Sequence, residues 1–459
     1  MIAGFDYGSS NCAIGVPHSK SGTTGGIELL PMYGDQRFLP STLYALSREL
    51  ICEAVAKQIE NPVLREQYMK ERDNQLRMAA NARREHDIAP GEPTVFVGEE
   101  AIENYIDLPE EGYFIKSPKS FLGVSGLRAE HIAFFEDIVS AMMFEIKKAA
   151  ERNLGGKLRH TVIGRPVNFQ GLGGEDANKQ ACAILNRAAE RAGFESVELL
   201  YEPLAAGINF ESDLTENKTV LVVDVGGGTT DCSVVRMGPE HRAKADRSDD
   251  FLGHSGSRVG GNDLDINLAY RGLMPVFGMG GTLRSGRPLP SQPYWNAVSV
   301  NDIPAQTEFN SMQNIELMEQ LKRDAEEPHK LARLLQLQEM KQNYQLVRSA
   351  EQAKIKLSDQ SEHTVDLNYI DQALTQAIGK ETYELAVDRP VAKIVDLMTE
   401  ALNQAQCTPD LIYVTGGTAK SPVVRKAIAE KLGDIPVVDG DHFGSVTAGL
   451  TQWAEKLYR

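Results

Sequence analysis

Residues 223–234 read Val-Asp-Val-Gly-Gly-Gly-Thr-Thr-Asp-Cys-Ser-Val, and residues 5–14 read Phe-Asp-Tyr-Gly-Ser-Ser-Asn-Cys-Ala-Ile. Each stretch ends an apolar strand with Asp-x-Gly, passes through a turn of small or hydroxylated residues and resumes as an apolar strand. The first aspartates of the two stretches, Asp6 and Asp224, lie almost half the chain apart. The repeat therefore predicts two related halves, each presenting one β-hairpin.

The residue types in these two turns are suited to binding a polyphosphate. Glycine lets backbone N–H groups approach a phosphate closely, and successive N–H groups in a tight turn form an anion-binding hollow. Serine and threonine hydroxyls add donors, and a carboxylate at a strand end can hold Mg²⁺, usually through water. Two facing hairpins would clamp a Mg²⁺-polyphosphate in a cleft. The alternative is two ordinary glycine-rich hairpins whose aspartates face solvent.

A third motif occupies residues 411–422, which read Leu-Ile-Tyr-Val-Thr-Gly-Gly-Thr-Ala-Lys-Ser-Pro. The pattern is an apolar strand, a Gly-Gly turn and a helix start, where backbone N–H groups can meet a phosphate or a ribose. It is not a Walker A loop, because Ala419 rather than glycine precedes Lys420. A plain strand-to-helix turn is the alternative.

Composition excludes several classes of protein. The 459 residues are 42% hydrophobic and 24% charged, which is ordinary globular usage. The net charge of −16 argues against general nucleic-acid binding, which needs a basic surface. The five cysteines form no CxxC pair, so neither a disulfide framework nor a zinc site is indicated, and a reducing cytoplasm fits. We see no signal peptide and no apolar run long enough to span a membrane.

Hydrophobic periodicity predicts alternating strands and helices along the rest of the chain. Helices are expected at 47–89, 132–153, 176–192, 308–358 with an interruption at Pro328, 371–405 with Pro390 opening a second segment, 422–432 and 446–457. Strands are expected at 95–98, 161–163, 197–200 and 364–367, and residues 272–293 are expected as loop.

In their order, the three motifs resemble those of the actin–hexokinase–heat-shock ATPase superfamily, and most of all the DnaK-type seventy-kilodalton heat-shock chaperones. Three further segments resemble the same family. They are residues 201–207 (Tyr-Glu-Pro-Leu-Ala-Ala-Gly), 258–265 (Arg-Val-Gly-Gly-Asn-Asp-Leu-Asp) and 351–358 (Glu-Gln-Ala-Lys-Ile-Lys-Leu-Ser). The resemblance spans almost the whole chain in collinear order.

The resemblance implies an α/β fold of the actin-like ATPase type, in which two duplicated lobes with mixed five-stranded sheets and flanking helices enclose a nucleotide cleft. Lobe I would cover residues 1–216, with an outer subdomain at 41–127 and a C-terminal helix, 440–459, that returns to it. Lobe II would cover 217–439, with an outer subdomain at 259–389. The family's peptide-binding domain is expected to be missing, because the chain ends soon after Gly449.

The resemblance also implies a role for each matching residue. Mg²⁺ would lie beside Asp6 and Asp224, and the catalytic groups would be Lys119, Glu202, Asp224 and Asp231. ATP or ADP would be bound by Gly8, Ser9, Ser10, Asn11, Gly226, Gly227, Gly228, Thr229, Thr230, Gly260, Gly261, Glu351, Lys354, Ser358, Gly416, Gly417, Thr418 and Lys420. Lys119 keeps the family's Lys-x-x-x-Gly spacing to Gly123, whereas Lys116 keeps the preceding apolar pair and is the alternative phosphate lysine.

The implied function is ATP hydrolysis by an in-line water, with lobe closure that acts on partner proteins. Neither nucleic acid nor membrane is expected as a partner. The alternatives within the superfamily are a small-molecule kinase, a filament-forming relative and a nucleotide-binding scaffold with little turnover. The sequence offers no distinct aspartate for a kinase substrate, and the helical segment 308–358 resembles the heat-shock branch. Both phosphate-loop carboxylates are present, which argues against the scaffold.

Overall fold

The computed structural model describes residues 1–18, 26–109, 111–124, 126–169, 174–242, 244, 247–440 and 444–459, so residues 441–443 of the predicted C-terminal segment lie outside it. The strands are β1 (Ile2–Tyr7), β2 (Asn11–Pro17), β3 (Ile27–Leu29), β4 (Leu39–Pro40), β5 (Thr42–Ala45), β6 (Val95–Val97), β7 (Tyr113–Lys116), β8 (His160–Arg165), β9 (Ser196–Tyr201), β10 (Lys218–Val225), β11 (Thr230–Met237), β12 (Phe251–Ser257), β13 (Glu362–Asp366), β14 (Thr375–Gly379), β15 (Leu411–Thr415) and β16 (Val437–Asp439).

The α-helices are α1 (Leu50–Gln58), α2 (Pro62–Glu71), α3 (Asp73–Glu85), α4 (Glu99–Asp107), α5 (Ala129–Leu154), α6 (Gly174–Arg191), α7 (Glu202–Glu211), α8 (Pro239–Arg242), α9 (Gly261–Leu268), α10 (Gln292–Val298), α11 (Ile303–Phe309), α12 (Met312–Asp324), α13 (Pro328–Glu339), α14 (Asn343–Leu357), α15 (Lys380–Ala405), α16 (Pro422–Leu432) and α17 (Ser445–Tyr458). Within the described residues, no helix combines the length and the apolar character that a membrane crossing requires.

The two largest sheets have the same topology. The first has the strand order β3-β2-β1-β8-β9, with the two-residue β4 also pairing with β2, and the second has the order β12-β11-β10-β15-β16. In both, the central strand pairs antiparallel with the strand that follows it and parallel with a later one. This confirms the predicted duplication of a mixed sheet with flanking helices, which is the architecture of the actin-like ATPase fold.

Two smaller sheets lie outside this duplicated core. A three-stranded sheet, β6-β5-β7, is formed by the same stretch of chain as α1 to α4. The hairpin β13–β14 follows α10 to α14 in the chain. Both groups fall inside the sequence ranges expected for the outer subdomains. The exact limits of lobes and subdomains stay predictions.

Helices α7 and α17 pack between the two large sheets. They share a core with apolar residues of β8, β10 and β15, represented by Val162, Val222 and Leu411. A methyl group on Gly449 of α17 would overlap the carbonyl of Ala205 in α7, so the glycine permits the close crossing of these helices. The crossing places the first residues of both helices next to the hairpins.

The predicted helix at 371–405 is confirmed from Lys380 to Ala405, but the prediction was wrong for residues 371–379 and for a new segment at Pro390. Residues Thr375–Gly379 form a strand that pairs with Glu362–Asp366, and α15 then runs through Pro390 without a break. The strand was missed because it is short and follows a turn-rich segment. Proline has no backbone N–H, so the helix lacks one hydrogen bond at Pro390. It continues because its face with Tyr383, Val391 and Ile394 is buried in the apolar core around the second large sheet.

Two long predicted helices are in fact divided. Residues 47–89 form α1, α2 and α3, and residues 308–358 span the end of α11 and then α12, α13 and α14. Asn61 caps α2 and Ser311 caps α12, since their side-chain oxygens accept bonds from the backbone N–H groups of the first turn. The predicted interruption at Pro328 is confirmed, because α13 begins there. Periodicity alone did not reveal the other breaks, because consecutive short helices keep the same spacing of apolar residues.

Candidate functional site

A cavity of about 640 Å³ lies where the two β-hairpins face each other. Its walls come from the β1–β2 turn, the β10–β11 turn, the start of α7, the Gly-Gly turn after β15 and one face of α14. A cavity of this size is typical of small-molecule and cofactor sites. The elements that the sequence motifs singled out therefore converge on one place.

Three neighbouring carboxyl groups line the cavity beside the hairpins. Asp6 lies near the end of β1, Asp224 near the end of β10, and Glu202 is the first residue of α7. A fourth, Asp231, pairs with Asp224 across the hairpin and is buried behind it. The backbone N–H of Val167 donates to Asp231 Oδ1 at 2.8 Å, which fixes this carboxyl in place.

These carboxyl groups have strongly raised pKa values. Burial, reinforced by the charge of Glu202, raises the pKa of Asp6 to about 7 and that of Asp231 to about 8. Burial and the neighbouring Glu202 and Asp231 also raise the pKa of Asp224 well above its ordinary value. Such crowding of carboxylates disfavours their charged forms until a cation joins them.

The two candidate lysines lie at different parts of the site. Lys119, on the helical turn Pro118–Phe121, is buried, and its Nζ donates to Glu202 Oε1 and to the carbonyl of Gly164. Burial lowers the pKa of Lys119, but the charges of Glu202 and Asp6 outweigh it and raise the pKa above the ordinary value. Lys116 instead pairs with Glu351 of α14 at 3.2 Å.

The two hairpin turns are in direct contact. A methyl group on Gly227 would overlap Ser10 Oγ, and one on Gly228 would lie 2.8 Å from Ser9 Cβ. On the other side of the second turn, the N–H of Gly261 donates to the carbonyl of Gly226 at 3.0 Å. The glycines are required here because backbone approaches side chain and backbone more closely than a Cβ permits.

The Gly-Gly turn after β15 completes this wall. Gly416 has φ +87°, and a methyl group there would overlap the carbonyl of Val225 at the end of β10. Thr418 Oγ1 donates to the carbonyl of Gly226 at 2.8 Å, and Gly417, Thr418 and Lys420 all line the cavity.

Helix α14 forms the far end of the cavity. Glu351, Lys354 and Ser358 all line it, as their spacing on one helical face predicted. Lys354 Nζ lies 2.7 Å from Asp265 Oδ1, and burial, opposed by Lys354, leaves the pKa of Asp265 at about 6.

Not every predicted residue reaches the cavity. The Thr230 hydroxyl is buried and donates to the carbonyl of Val259 at 2.8 Å, away from the cavity. Asp231, Lys119 and Gly260 lie behind its wall. The other predicted residues line the cavity, namely Asp6, Gly8, Ser9, Ser10, Asn11, Glu202, Asp224, Gly226, Gly227, Gly228, Thr229, Gly261, Glu351, Lys354, Ser358, Gly416, Gly417, Thr418 and Lys420.

Sequence reasoning missed further lining residues, among them Phe38, Asn262, Asp265, Ile355 and Ser445. Helical spacing from Glu351 provides a signal for Ile355, and the segment 258–265 contains both Asn262 and Asp265. Phe38 and Ser445 carry no local signal, because they reach the site only through the folding of distant segments.

The carboxylates suit a cation that is held through water. No group of three His, Cys, Asp or Glu side chains close enough to hold a metal directly occurs in the described part of the chain. Mg²⁺ usually keeps several waters and takes one or two carboxylates together with phosphate oxygens. Asp6, which is half-buried, and Asp224, which is buried, both have raised pKa values and fit that arrangement.

Fold and cavity together define a two-lobed protein of the actin-like ATPase type. A family model described as Hsp70 protein matches residues 122–269 and 316–449, which is more than half of the chain. The chain therefore belongs to the Hsp70 family, as the resemblance predicted. Membership supports an ATP-binding, chaperone-type function.

Proposed function

We propose that the protein binds Mg²⁺-ATP in the cavity between the hairpins, hydrolyses ATP there and uses lobe closure to act on partner proteins. The observation that carries the proposal is the meeting of Asp6, Glu202 and Asp224 with two facing glycine-rich turns in one cavity. Family membership supports the nucleotide, and the site chemistry supports hydrolysis.

The turns and the carboxylates divide the work of holding the phosphates. Ser9, Ser10, Gly227, Gly228 and Thr229 present hydroxyl and backbone N–H groups to the β- and γ-phosphates. Asp6 and Asp224 would hold Mg²⁺ through water, and the ion would supply neutralisation of charge on the phosphate oxygens.

The remaining buried groups serve the attacking water. Glu202 lies in the cavity wall, so we assign it the role of orienting the water and accepting its proton, and Asp231, behind the wall, has an indirect role. Lys119 bonds Glu202 and stays protonated, which places a positive charge where negative charge develops on the transferred phosphoryl group. This favours Lys119 over Lys116 as the phosphate lysine.

The adenosine end of the nucleotide lies along α14. Glu351, Lys354 and Ser358 face the cavity opposite Gly416, Gly417 and Lys420. Burial raises the pKa of Glu351, but Lys116 and Lys354 outweigh it and lower the pKa, so Glu351 is an acceptor for ribose hydroxyls.

The five cysteines are free, which supports a cytoplasmic setting.

The test is ATP binding and hydrolysis by the wild type, Asp224→Asn and Glu202→Ala, with Glu198→Ala on the exposed face of β9 as the matched control. We expect turnover to fall about 100-fold or more in the two site variants, in line with the loss of a transition-state contact, and to be unchanged in the control. Turnover that survives both site changes would refute the site assignment. Wild-type binding without turnover would support the scaffold instead.

A further inference from the structure

A chain of buried hydrogen bonds leads from the first hairpin turn to Asn262, which itself lines the cavity. The backbone N–H of Ser41 donates to the carbonyl of Ser10 at 2.8 Å, and Ser41 Oγ donates to the carbonyl of Gly8 at 2.7 Å. The carbonyl of Ser41 in turn accepts from the N–H of Ser117 at 2.8 Å. The first turn is therefore tied to Ser117.

The same chain continues to the second turn. Asn262 Nδ2 donates to Ser117 Oγ at 3.1 Å, and the N–H of Asn262 donates to the carbonyl of Gly227 at 2.7 Å. Ser41, Ser117 and Asn262 are all buried. The two turns are thus linked by one continuous path of hydrogen bonds, which we call the Ser41–Ser117–Asn262 bridge.

Ser117 is held in an unusual backbone conformation. Its φ is +56°, in the left-handed region that residues with a side chain rarely adopt. It separates β7 from the helical turn that carries Lys119. Strained residues persist where the surrounding structure fixes them, and they concentrate at functional sites. Here the conformation turns the hydroxyl toward Asn262 and places Lys119 beside Glu202.

We propose that Ser117 and Asn262 are positioning residues that set the spacing of the two turns and the place of Lys119. The inference rests on the proposed function of this cavity. Only an arrangement with both turns and Lys119 in register binds the phosphates fully, so breaking the Ser117–Asn262 bond weakens nucleotide retention and turnover together. Ser117 does not line the cavity, so it acts through the bridge rather than by touching nucleotide.

Other contacts join the two halves of the chain independently of the bridge. The ring of Phe114 in β7 lies 4.9 Å from the ring of Tyr344 in α14, and Tyr105 OH donates to the carbonyl of Lys341 at 2.7 Å. These contacts lie outside the phosphate region. We therefore expect bridge variants to fold and to differ from the wild type in function.

The experiment compares Asn262→Ala and Ser117→Ala with Asn267→Ala, whose side chain donates to the carbonyl of Asp263 within the same helix α9. A fluorescent ADP analogue is displaced by excess ATP in a stopped-flow instrument, and kcat and KM for ATP are measured separately. We expect the analogue to leave about tenfold faster from both bridge variants, which is the loss of one buried hydrogen bond. We also expect kcat to fall, and the control to match the wild type.

The double variant Ser117→Ala/Asn262→Ala should behave like either single variant, because each change cuts the same bond. If Ser117→Ala matches the wild type while Asn262→Ala does not, Asn262 contacts nucleotide directly and the bridge is refuted. Ser117→Gly, which accepts φ +56° without strain, repeats the test if Ser117→Ala lowers the melting temperature. A wild type that binds no nucleotide refutes the proposed function, whereas binding that is equal in all variants refutes the bridge alone.

Discussion

The first and second hairpins have the same strand topology but turns of opposite character. The first turn carries hydroxyl side chains at Ser9 and Ser10, whereas the second has Gly226, Gly227 and Gly228 in succession. Where they meet, a Cβ on Gly227 or Gly228 would run into Ser10 or Ser9. The two halves therefore share one topology, as expected of a duplication. Their turns fit together only because one carries side chains and the other has glycine at the points of contact.

The hairpins also differ in the partner of the leading aspartate. Asp6 pairs with Ala13 across its hairpin, whereas Asp224 pairs with Asp231. The second hairpin thus contributes two carboxyl groups and the first contributes one. The first half restores the balance of charge through Lys119, which lies near Asp6 and bonds Glu202.

The largest effect is expected when the second turn is given a side chain, as the first turn already has. In Gly227→Ala the new methyl group overlaps Ser10 Oγ, and we expect ATP affinity to fall about 100-fold, the upper end of an overpacking cost. Ser10→Gly added to this variant should restore part of the affinity, because it removes the atoms that clash. Isothermal titration with ATP measures both.

Gly379→Ala is the control for this prediction, since the nearest atom to its new methyl group is 3.9 Å away. Equal affinity of Gly227→Ala and Gly379→Ala would show that the turns separate when nucleotide binds, and the complementarity argument would fail.

An effect of medium size is expected in how the free energy of unfolding depends on pH. It distinguishes the single aspartate of the first hairpin, Asp6, from the pair Asp224 and Asp231 in the second. In the unfolded chain the carboxyl groups of Asp6 and Asp231 lose their protons near the ordinary pKa of 3.8. In the folded state their pKa values are about 7 for Asp6 and about 8 for Asp231. Between those limits the folded state binds more protons, so the free energy of unfolding falls as pH rises from about 4 to about 8. The stabilisation is therefore fully present below about pH 4. It is lost as the pH rises through the folded-state pKa values of Asp6 and Asp231.

Thermal melts of the nucleotide-free protein at pH 5, 6, 7 and 8 check this. We expect the wild-type melting temperature to fall by at least about 3 °C from pH 5 to pH 8. Asp231→Asn should reduce the fall above pH 7, where Asp224 also contributes, whereas Asp6→Asn should leave most of that part in place. The exposed Asp366→Asn serves as control, and a melting temperature that does not change with pH would contradict the burial of these carboxyls.

The smallest expected effect comes from Thr230, the residue that follows the second turn. Its hydroxyl bonds the carbonyl of Val259 instead of facing the cavity. We expect Thr230→Val to lower the free energy of unfolding by about 1 kcal/mol, the worth of one buried hydrogen bond, and to leave ATP affinity within about twofold. Denaturant unfolding and ATP titration test this, and a tenfold loss of affinity would return Thr230 to the binding site.

Much of the site could be predicted from local patterns. Turns such as 224–231 are visible in sequence because Asp-x-Gly between apolar strands has few conformational alternatives. The position of α15 across Pro390 and the strand Thr375–Gly379 could not be predicted, because burial against distant residues decides both. Phe38 and Ser445 were missed for the same reason.

By itself, the sequence determined the two hairpins, the Gly-Gly turn and the polar face of α14, because each rests on steric rules that act over a few residues. The tertiary structure alone decided that Lys119 lies beside Glu202 while Lys116 pairs with Glu351, and that Thr230 points away from the cavity. It also decided that Ser117 meets Asn262, a residue far along the chain. Such pairings depend on how the two sheets and their helices pack, and no local pattern carries that information.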